Sequence, residues 1–114
     1  MLVAAISCKT DTKEDGSQEC YIMTITVLKP YRRYGIASQC LKEAIKECCE
    51  DKDIKRMVLH VQASNKAAMS FYKNHGFIIE KELKDYYPEL EEKDCFYLTR
   101  AVWLILVYEI INIY

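Results

Sequence analysis

Residues 32–38, Arg-Arg-Tyr-Gly-Ile-Ala-Ser, place two cationic side chains and a glycine at the start of an amphipathic run. They follow an apolar run, 21–28, so the pattern predicts a strand, a short turn and then a helix. The first amide N–H groups of a helix have no partner within it and carry partial positive charge, so they bind anions. Gly35 can adopt a positive φ and lets the backbone approach a ligand closely. The segment is therefore predicted to hold a diphosphate.

The net charge of the whole chain limits the class of ligand that this basic segment can bind. The formal net charge is −1 and the sequence pI is about 6.1. That balance argues against nucleic acid or an anionic membrane as the partner, since both favour strongly basic surfaces. Lys29, Arg32 and Arg33 are therefore interpreted as a site for a small anion. A solvated surface pair is the alternative for Arg32 and Arg33, and the adjacent Gly35 and helix start favour phosphate.

Two further side chains could move protons. His60 ends a predicted strand, 54–61, and its ordinary pKa of about 6.5 suits a general base. The alternative is a histidine satisfied within the core. Tyr21 begins the predicted strand 20–28, and its alternative is an ordinary strand aromatic with a hydrated hydroxyl. If these two strands pair in parallel, Tyr21 and His60 face each other across one cleft.

Periodicity predicts the elements that position these groups. The order is β-β-α-β-α-β-β, with two right-handed crossovers in a mixed sheet, which is an α/β (α+β) fold. Gly76 is a suitable residue to end the second helix, and Ser64 or Asn65 can cap its start. The predicted strands cover 2–8, 20–28, 54–61, 77–83 and 94–102, the first helix covers 36–49, and loops cover 9–19 and 85–92.

Composition sets the class of protein. A chain of 114 residues with 51% hydrophobic residues has room for one small folded domain. We expect that domain at 1–102 and an apolar tail at 103–114. The tail either packs on the sheet or serves as a membrane anchor, although it is short for a span. Six cysteines without a CxxC pair fit neither a zinc site nor a clear disulfide framework. With no recognisable leader, we expect a reduced, cytoplasmic or nuclear setting.

Several of these segments resemble one enzyme family. Strand, Arg-x-x-Gly-x-Ala and helix, carried by Arg32, Gly35 and Ala37, resemble the acetyl-CoA signature of the GCN5-related N-acetyltransferases (GNAT). Residues 59–65 with Ala68, and then residues 71–77, resemble the next strand and helix of that family. Because separated motifs agree in order and spacing, the resemblance implies a GNAT fold from about residue 3 to residue 99.

Within the family the chain most resembles the protein N-terminal α-acetyltransferases, of the type that forms the NatE catalytic subunit. The motifs that carry this likeness lie at residues 21–24, 30–33, 59–62 and 85–87. The strand and two helices that open the family domain have no counterpart here, so we expect an N-terminally truncated domain. The resemblance implies polypeptide N-termini as substrates and other acetyltransferase subunits as candidate partners.

The implied reaction is acetyl transfer from acetyl-CoA to an α-amine, with no metal. The amine is partly protonated at neutral pH, so a base must remove a proton before direct attack on the thioester. The resemblance implies that His60 is this base, directly or through a water, that Tyr21 assists it, and that Tyr72 protonates the leaving thiolate. Core packing is the alternative for Tyr72.

The same resemblance implies two binding sets. Met23, Tyr86 and Tyr87 would line the pocket for the substrate N-terminus and favour peptides that start with Met. The alternative for them is a buried methionine and a pair of aromatic residues in a loop. Asn65 would bind the cofactor, unless it is a plain helix cap. The other positions implied in acetyl-CoA binding are Ile25, Thr26, Val27, Arg32, Arg33, Tyr34, Gly35, Ile36, Ala37, Ser38 and Tyr72.

Two other functions stay open at this point. The chain could be a catalytically silent GNAT-fold subunit that binds partners. It could also acetylate lysine or a small amine with the same machinery. Retention of Tyr21, His60 and Tyr72 together favours an enzyme, because a structural role needs none of the three.

Overall fold

The structure is a computed structural model that describes residues 2–32, 34–84 and 94–102. Its elements follow the predicted order, with a 3₁₀ helix added between the second strand and the first α-helix. The strands are β1 (Ala4–Thr12), β2 (Gln18–Val27), β3 (Ile54–Gln62), β4 (Ile78–Leu83) and β5 (Cys95–Ala101); the helices are α1 (Ile36–Glu50), α2 (Lys66–Asn74) and the 3₁₀ helix Lys29–Tyr31.

One mixed sheet holds all five strands in the order β1-β2-β3-β5-β4. The β1/β2 and β4/β5 pairs are antiparallel. The last strand therefore inserts between β3 and β4, so that the crossover through α2 leads to an edge strand. The α+β fold class is confirmed.

The β1/β2 hairpin is longer than the sequence predicts. The predicted loop over 9–19 shrinks to a tight turn, because the polar ends of both strands continue to pair as far as Thr12 with Gln18. Asp15 closes the turn by accepting from the Ser17 amide at 2.9 Å and from the Ser17 hydroxyl at 2.6 Å. Gly16 provides the positive φ of 86° that the turn requires. Polarity alone marked these residues as loop, whereas backbone pairing keeps them in strands.

Contacts divide the chain into two compact units, and the first contains the described residues up to Met57 together with 101 and 102. Its core forms where α1 packs on β1 and β2. The helical period that begins at Ile36 predicts a buried face of five residues, of which Ala37 is only half-buried. The other four are buried, with Leu41 fully so: Leu41, Ala44, Ile45 and Cys48. Burying a side chain such as Leu41 contributes about 1.5–3 kcal/mol.

A buried carboxylate also stabilises this unit. Glu19 is only 5% exposed. It pairs with Lys13 at 2.9 Å and with Arg56. Burial raises the pKa of the Glu19 carboxyl, but the hydrogen bonds from Lys13 and Arg56 outweigh this effect and hold the pKa below its usual 4.5.

The second unit covers Val58–Arg100. Its core is apolar and comes from both strands and helix, and its buried hydrophobic residues are Val58, Leu59, Val61, Met69, Phe77, Cys95 and Leu98. On α2 the only buried residue is Met69, whereas Phe71, Tyr72 and His75 are half-buried and Ala67 is exposed. The helical period predicts one face made of Ala67, Ala68, Phe71, Tyr72 and His75, so the buried face of this helix is rotated from the predicted one, because the Met69 side chain lies in the core.

The C-terminal end of α2 is hydrogen-bonded to β5. The buried Arg100 donates from Nε to the carbonyl of His75 at 2.7 Å. This bond satisfies a carbonyl at the end of the helix, where no further turn supplies a donor.

Some predictions fall outside the described residues: the loop 85–92 and the tail 103–114 both lie wholly there. The choice between a packed tail and a membrane anchor therefore stays a prediction. Neither helix in the described ranges is long and apolar enough to cross a membrane. The assignment of 1–102 to a single domain also stays a prediction.

Candidate functional site

The turn between β2 and α1 is the main candidate for ligand binding. Gly35 lies at the N-cap of α1 with φ 74° and ψ 14°, in the left-handed region. Its carbonyl accepts the first helical hydrogen bond, from the Gln39 amide at 3.1 Å. An added Cβ at Gly35 would meet nothing within 4 Å, so the space in front of the turn is open. Gly35 thus adopts the positive φ that glycine allows, and its contact with a ligand stays a prediction.

No side chain caps the start of α1 among the described residues, and its first turn contains no acidic residue. Most helices satisfy these amides with an Asp, Asn, Ser or Thr oxygen. A Gly35 N-cap leaves that role to a ligand or to water. The arrangement therefore suits an anion that approaches the amides of Ile36 and Ala37 in the first turn.

A basic residue is anchored beside this turn. Arg32 is exposed, and its Nε donates to the carbonyl of Val27, the last residue of β2, at 2.9 Å. Its own amide donates to the Lys29 carbonyl at 3.2 Å, which closes the 3₁₀ helix. The guanidinium is thus held near the end of β2 and still faces solvent. Tyr34 is 75% exposed, and Arg33 lies outside the described residues.

The backbone predicted to bind the cofactor lies near the end of β2. Ile25, Thr26 and Val27 pair with Ile6, Ala5 and Ala4 of β1, respectively. The hairpin therefore holds these peptide units in fixed, extended geometry.

Tyr21 and Met23 alternate along β2 with the buried Cys20 and Ile22, so they lie on the opposite face from α1. The ammonium of Lys9 lies over the Tyr21 ring, 5.4 Å from its centroid. This cation–π contact was not evident from the sequence, because it depends on the register that places Lys9 opposite Tyr21. Met23 is 54% exposed and therefore accessible to a ligand.

In the second unit, His60 is half-buried on β3. Burial lowers the pKa of its imidazole below the usual 6.5, which keeps the ring neutral and able to accept a proton near pH 7. Its ring packs against Tyr97 of β5, with centroids 5.0 Å apart and planes tilted by 47°. Sequence reasoning missed Tyr97, because nothing in the sequence places β5 beside β3.

Tyr72 belongs to an aromatic cluster on α2. Its ring meets Phe71 at 5.1 Å and Phe77 at 5.5 Å, both edge to face. His75 also contacts Phe71, at 4.8 Å, and its Nδ1 is 2.8 Å from the Phe71 carbonyl. Ring packing thus fixes where Tyr72 lies. Both the packing role and the acid role given to this residue are compatible with that position.

Asn65 caps α2. Its Oδ1 accepts from the Ala68 amide at 3.1 Å. The capping alternative is therefore what the structure contains. The cap uses the side-chain oxygen, while the side-chain nitrogen has two donors of its own. A contact with cofactor stays a prediction.

The predicted residues thus divide between the two units. Tyr21, Met23 and the β2–α1 turn belong to the first, and His60, Asn65 and Tyr72 belong to the second. Tyr86 and Tyr87 lie outside the described residues.

Comparison with known proteins agrees with these observations. The chain is 36% identical over 100 residues to N-alpha-acetyltransferase 50 of Danio rerio, which covers 88% of this chain and 59% of that protein. It is similar in structure to Arabidopsis thaliana Naa50 in complex with the bisubstrate analogue CoA-Ac-MVNAL, with a TM-score of 0.77 and 39% identity over 86% of this chain and 64% of the other.

A third similarity is to the NatC complex bound to Gag peptide and CoA, with a TM-score of 0.77, 30% identity, and coverage of 87% of this chain and 60% of the other. The chain spans less than two thirds of the length of each of these proteins. The profile of the acetyltransferase (GNAT) family matches residues 2–77, which is more than half of the 114 residues. The uncapped, glycine-led start of α1 lies within that match, and the chain belongs to the acetyltransferase (GNAT) family.

Proposed function

We propose that this chain is an N-acetyltransferase that uses acetyl-CoA to acetylate the α-amine of polypeptides. The observation that carries the proposal is the start of α1, where Gly35 adopts φ 74° in open space and no side chain of the described residues caps the helix. A diphosphate would accept from the amides of Ile36 and Ala37, and the macrodipole of the helix favours its charge. Arg32 beside the turn adds a cation.

His60 supplies the general base in this proposal. Lowering of its pKa by burial keeps the imidazole neutral near pH 7, as proton abstraction requires. The Tyr97 ring restricts the orientation of the imidazole. The base takes a proton from the α-ammonium group, directly or through a water, and leaves a neutral amine to attack the thioester carbonyl.

Tyr21 and Tyr72 complete the proposed machinery. Tyr21 would assist deprotonation, and the ammonium of Lys9 lies over its ring. Tyr72 would give a proton to the departing thiolate, with its ring held by Phe71 and Phe77. The direct attack needs no covalent enzyme intermediate, so a cysteine nucleophile has no part in it.

Three residues bear on which peptides the chain would acetylate. Met23 offers an accessible thioether on β2, and Tyr86 and Tyr87 are proposed to complete an apolar pocket. We propose a preference for peptides that start with Met. The Arabidopsis relative was solved with an analogue that carries the peptide MVNAL. Other acetyltransferase subunits remain the proposed partners, in a cytoplasmic or nuclear setting.

The experiment is incubation of the full chain with acetyl-CoA and a library of peptides with free N-termini, followed by mass spectrometry. Peptides with blocked N-termini and an internal lysine form the control set. Acetylation of free N-termini, with Met-starting peptides ahead of Ser- or Asp-starting ones, is the expected result. Acetylation of the control set alone would assign the chain to lysine, and thermal stabilisation by acetyl-CoA with no acetylation would indicate a silent subunit.

Variants separate binding from chemistry. Tyr72→Phe removes only the hydroxyl and keeps the aromatic packing, so it should lower turnover and leave the midpoint of thermal unfolding nearly unchanged. Phe71→Leu is the matched control in the same cluster, because it loosens the packing without removing an acid. An equal loss of turnover in both variants would assign Tyr72 to packing.

A further inference from the structure

Strand β1 is an edge strand of the five-stranded sheet, and β2 is its only partner among the described strands. Just before β1, the Val3 carbonyl accepts from the Leu28 amide at 2.9 Å, so this backbone group of Val3 faces β2. Because the direction of backbone groups alternates along a strand, those of Ala4 and Ile6 face away from β2. The outer edge of β1 therefore presents backbone donors and acceptors with which a further strand can pair.

An open cavity of about 450 Å³ lies beside this edge. Its described lining comes from β1 and α1 and includes no residue of β2, so the cavity is on the outer side of β1. Ala4, Ile6 and Cys8 of β1 and Ala44 of α1 give it a largely apolar floor. The volume lies within the range of about 300–1,000 Å³ that is typical of ligand sites. We refer to the outer edge of β1 and this cavity together as the β1 groove.

One wall of the β1 groove is acidic. Glu43 and Glu47 are exposed on α1, and they are the only charged residues among the described ones that line the cavity. Lys42 and Lys46 belong to the same helix but do not line it. Two carboxylates beside an apolar floor give the groove a negative potential, which favours a cationic ligand.

The spacing of the two carboxylates matches the period of a strand. Residues four apart on a helix are separated by about 6 Å along its axis. Residues two apart on a strand point to the same face and are separated by about 6.6–6.8 Å. Because α1 packs beside β1, a strand paired with β1 can place two alternate side chains next to Glu43 and Glu47.

We propose that the β1 groove binds an extended basic segment of a partner protein, which pairs as a strand antiparallel to β1 and presents a Lys or Arg at two alternate positions to Glu43 and Glu47. Strand addition of this kind obtains affinity from main-chain hydrogen bonds and specificity from alternate side chains. Antiparallel pairing is the more stable arrangement per residue. Small apolar side chains that flank the two basic ones contact Ala4 and Ile6. This proposal is independent of the acetyltransferase function.

Two other occupants fit the groove less well. A second copy that pairs through β1 across a two-fold axis would bring both copies of Glu43 and Glu47 to the same face of the joined sheet, where they repel each other. The tail 103–114 contains no Lys or Arg, and Glu109 is its only charged side chain, so the carboxylates of the groove do not attract it. Charge complementarity thus selects a basic partner.

The probe is the blocked peptide acetyl-Val-Thr-Lys-Thr-Lys-Thr-Val-amide, titrated into the full chain by calorimetry at low ionic strength. Val and Lys lie on one face of this strand and Thr on the other. The blocked N-terminus, and the omission of acetyl-CoA, separate the result from any acetyl transfer. We expect saturable binding of one peptide per chain. Replacement of both lysines by glutamine should weaken binding about 3- to 10-fold, and about 0.5 M salt should remove this difference.

Methylation of peptide nitrogens tests the strand pairing. In an antiparallel pair, the peptide residues on the same face as Ile6 turn their N–H groups toward β1. N-methyl groups on the Val and Lys residues should therefore weaken binding at least about tenfold, because these hydrogen bonds are lost. N-methyl groups on the Thr residues should leave Kd nearly unchanged. An equal effect of the two sets, or the reverse order, would overturn the proposed pairing.

Two double variants test the acidic wall. Glu43→Gln with Glu47→Gln should weaken binding of the lysine peptide about 3- to 10-fold and leave Kd for the glutamine peptide unchanged. Glu14→Gln with Glu50→Gln is the matched control, because it removes the same net charge from exposed residues that do not line the cavity. An equal loss of affinity in both double variants would assign the effect to net charge and overturn the proposed contacts.

Two cysteines of α1 locate the bound peptide. Cys40 and Cys49 are both half-buried thiols, but only Cys40 lines the cavity. Saturating peptide should slow alkylation of Cys40 by iodoacetamide severalfold, measured by mass spectrometry, and leave the rate at Cys49 unchanged. Binding without protection of Cys40 would place the peptide elsewhere. If no peptide binds, sedimentation velocity identifies the alternative: a dimer assigns the groove to a second copy and a monomer leaves it to the tail, and either result rejects the basic partner.

Discussion

Charge placed at Gly35 is the sharpest probe of the diphosphate site. Asp and Asn have nearly the same shape, and both tolerate the left-handed backbone that this position requires. A Cβ added there meets no atom within 4 Å, so neither side chain clashes with the protein. Comparison of Gly35→Asp with Gly35→Asn therefore isolates one negative charge in front of the amides of α1.

The magnitude follows from Coulomb's law. One carboxylate about 6 Å from a doubly charged diphosphate, at an effective dielectric constant of about 40–80, costs about 1.4–2.8 kcal/mol, which weakens binding about 10- to 100-fold. At a concentration of about 100 times Kd, acetyl-CoA stabilises the native state by about 2.7 kcal/mol, or roughly 10 °C for a domain of this size. With Asp at the site this shift falls to roughly 2–6 °C.

The assay is thermal unfolding of both variants with and without acetyl-CoA, supported by calorimetric titration for Kd. Without ligand the Asp variant should be at least as stable as the Asn variant, because an acidic residue at a helix N-terminus is favourable by about 0.3–1 kcal/mol. The two effects have opposite signs, so general destabilisation cannot imitate the result. Equal ligand-induced shifts in both variants would refute the placement of the diphosphate at this turn.

Three further predictions test other parts of the molecule. His60→Gln should lower kcat about 10²- to 10⁴-fold. It should also remove the fall of the wild-type rate at acid pH, whose midpoint lies below pH 6.5 because burial lowers the pKa of His60. If the pH–rate profiles of variant and wild type have the same shape, His60 is not the base. Glu19→Gln should lower the free energy of unfolding, measured by chemical denaturation at neutral pH, by about 1–3 kcal/mol. Pairing with Lys13 and Arg56 holds the Glu19 pKa below 4.5, so this stability is present above pH 4.5 and is lost as pH falls through the lowered pKa. A difference between variant and wild type that persists at low pH would contradict the pairing argument. Asn65→Ala should lose about 1 kcal/mol of stability, whereas Asn65→Asp should keep it, because both Asn and Asp cap a helix. If calorimetry shows that Asn65→Asp binds acetyl-CoA more weakly than the wild type, Asn65 contacts the ligand in addition to capping the helix. Equal destabilisation of both variants would refute capping.

The local sequence pattern was sufficient to predict the helices and strands, and the turn between β2 and α1 on which the proposed function depends. The change from an apolar run to a helical period at Ile36, with Gly35 before it, located the start of α1 correctly, because both signals act within a few residues. The buried face of α1 followed from the same period.

Only the tertiary structure decided which distant residues meet. Strand β5 lies between β3 and β4, and this order brings Tyr97 to His60 and Arg100 to the end of α2. The hairpin register, with its shift between Ser7 and Cys8, sets which side chains face α1. Periodicity fixes which face of an element is apolar, but it carries no information on the neighbour that covers that face. Pairing between strands far apart in sequence is selected by the packing of the whole core, and the environment of His60 is a consequence of that packing.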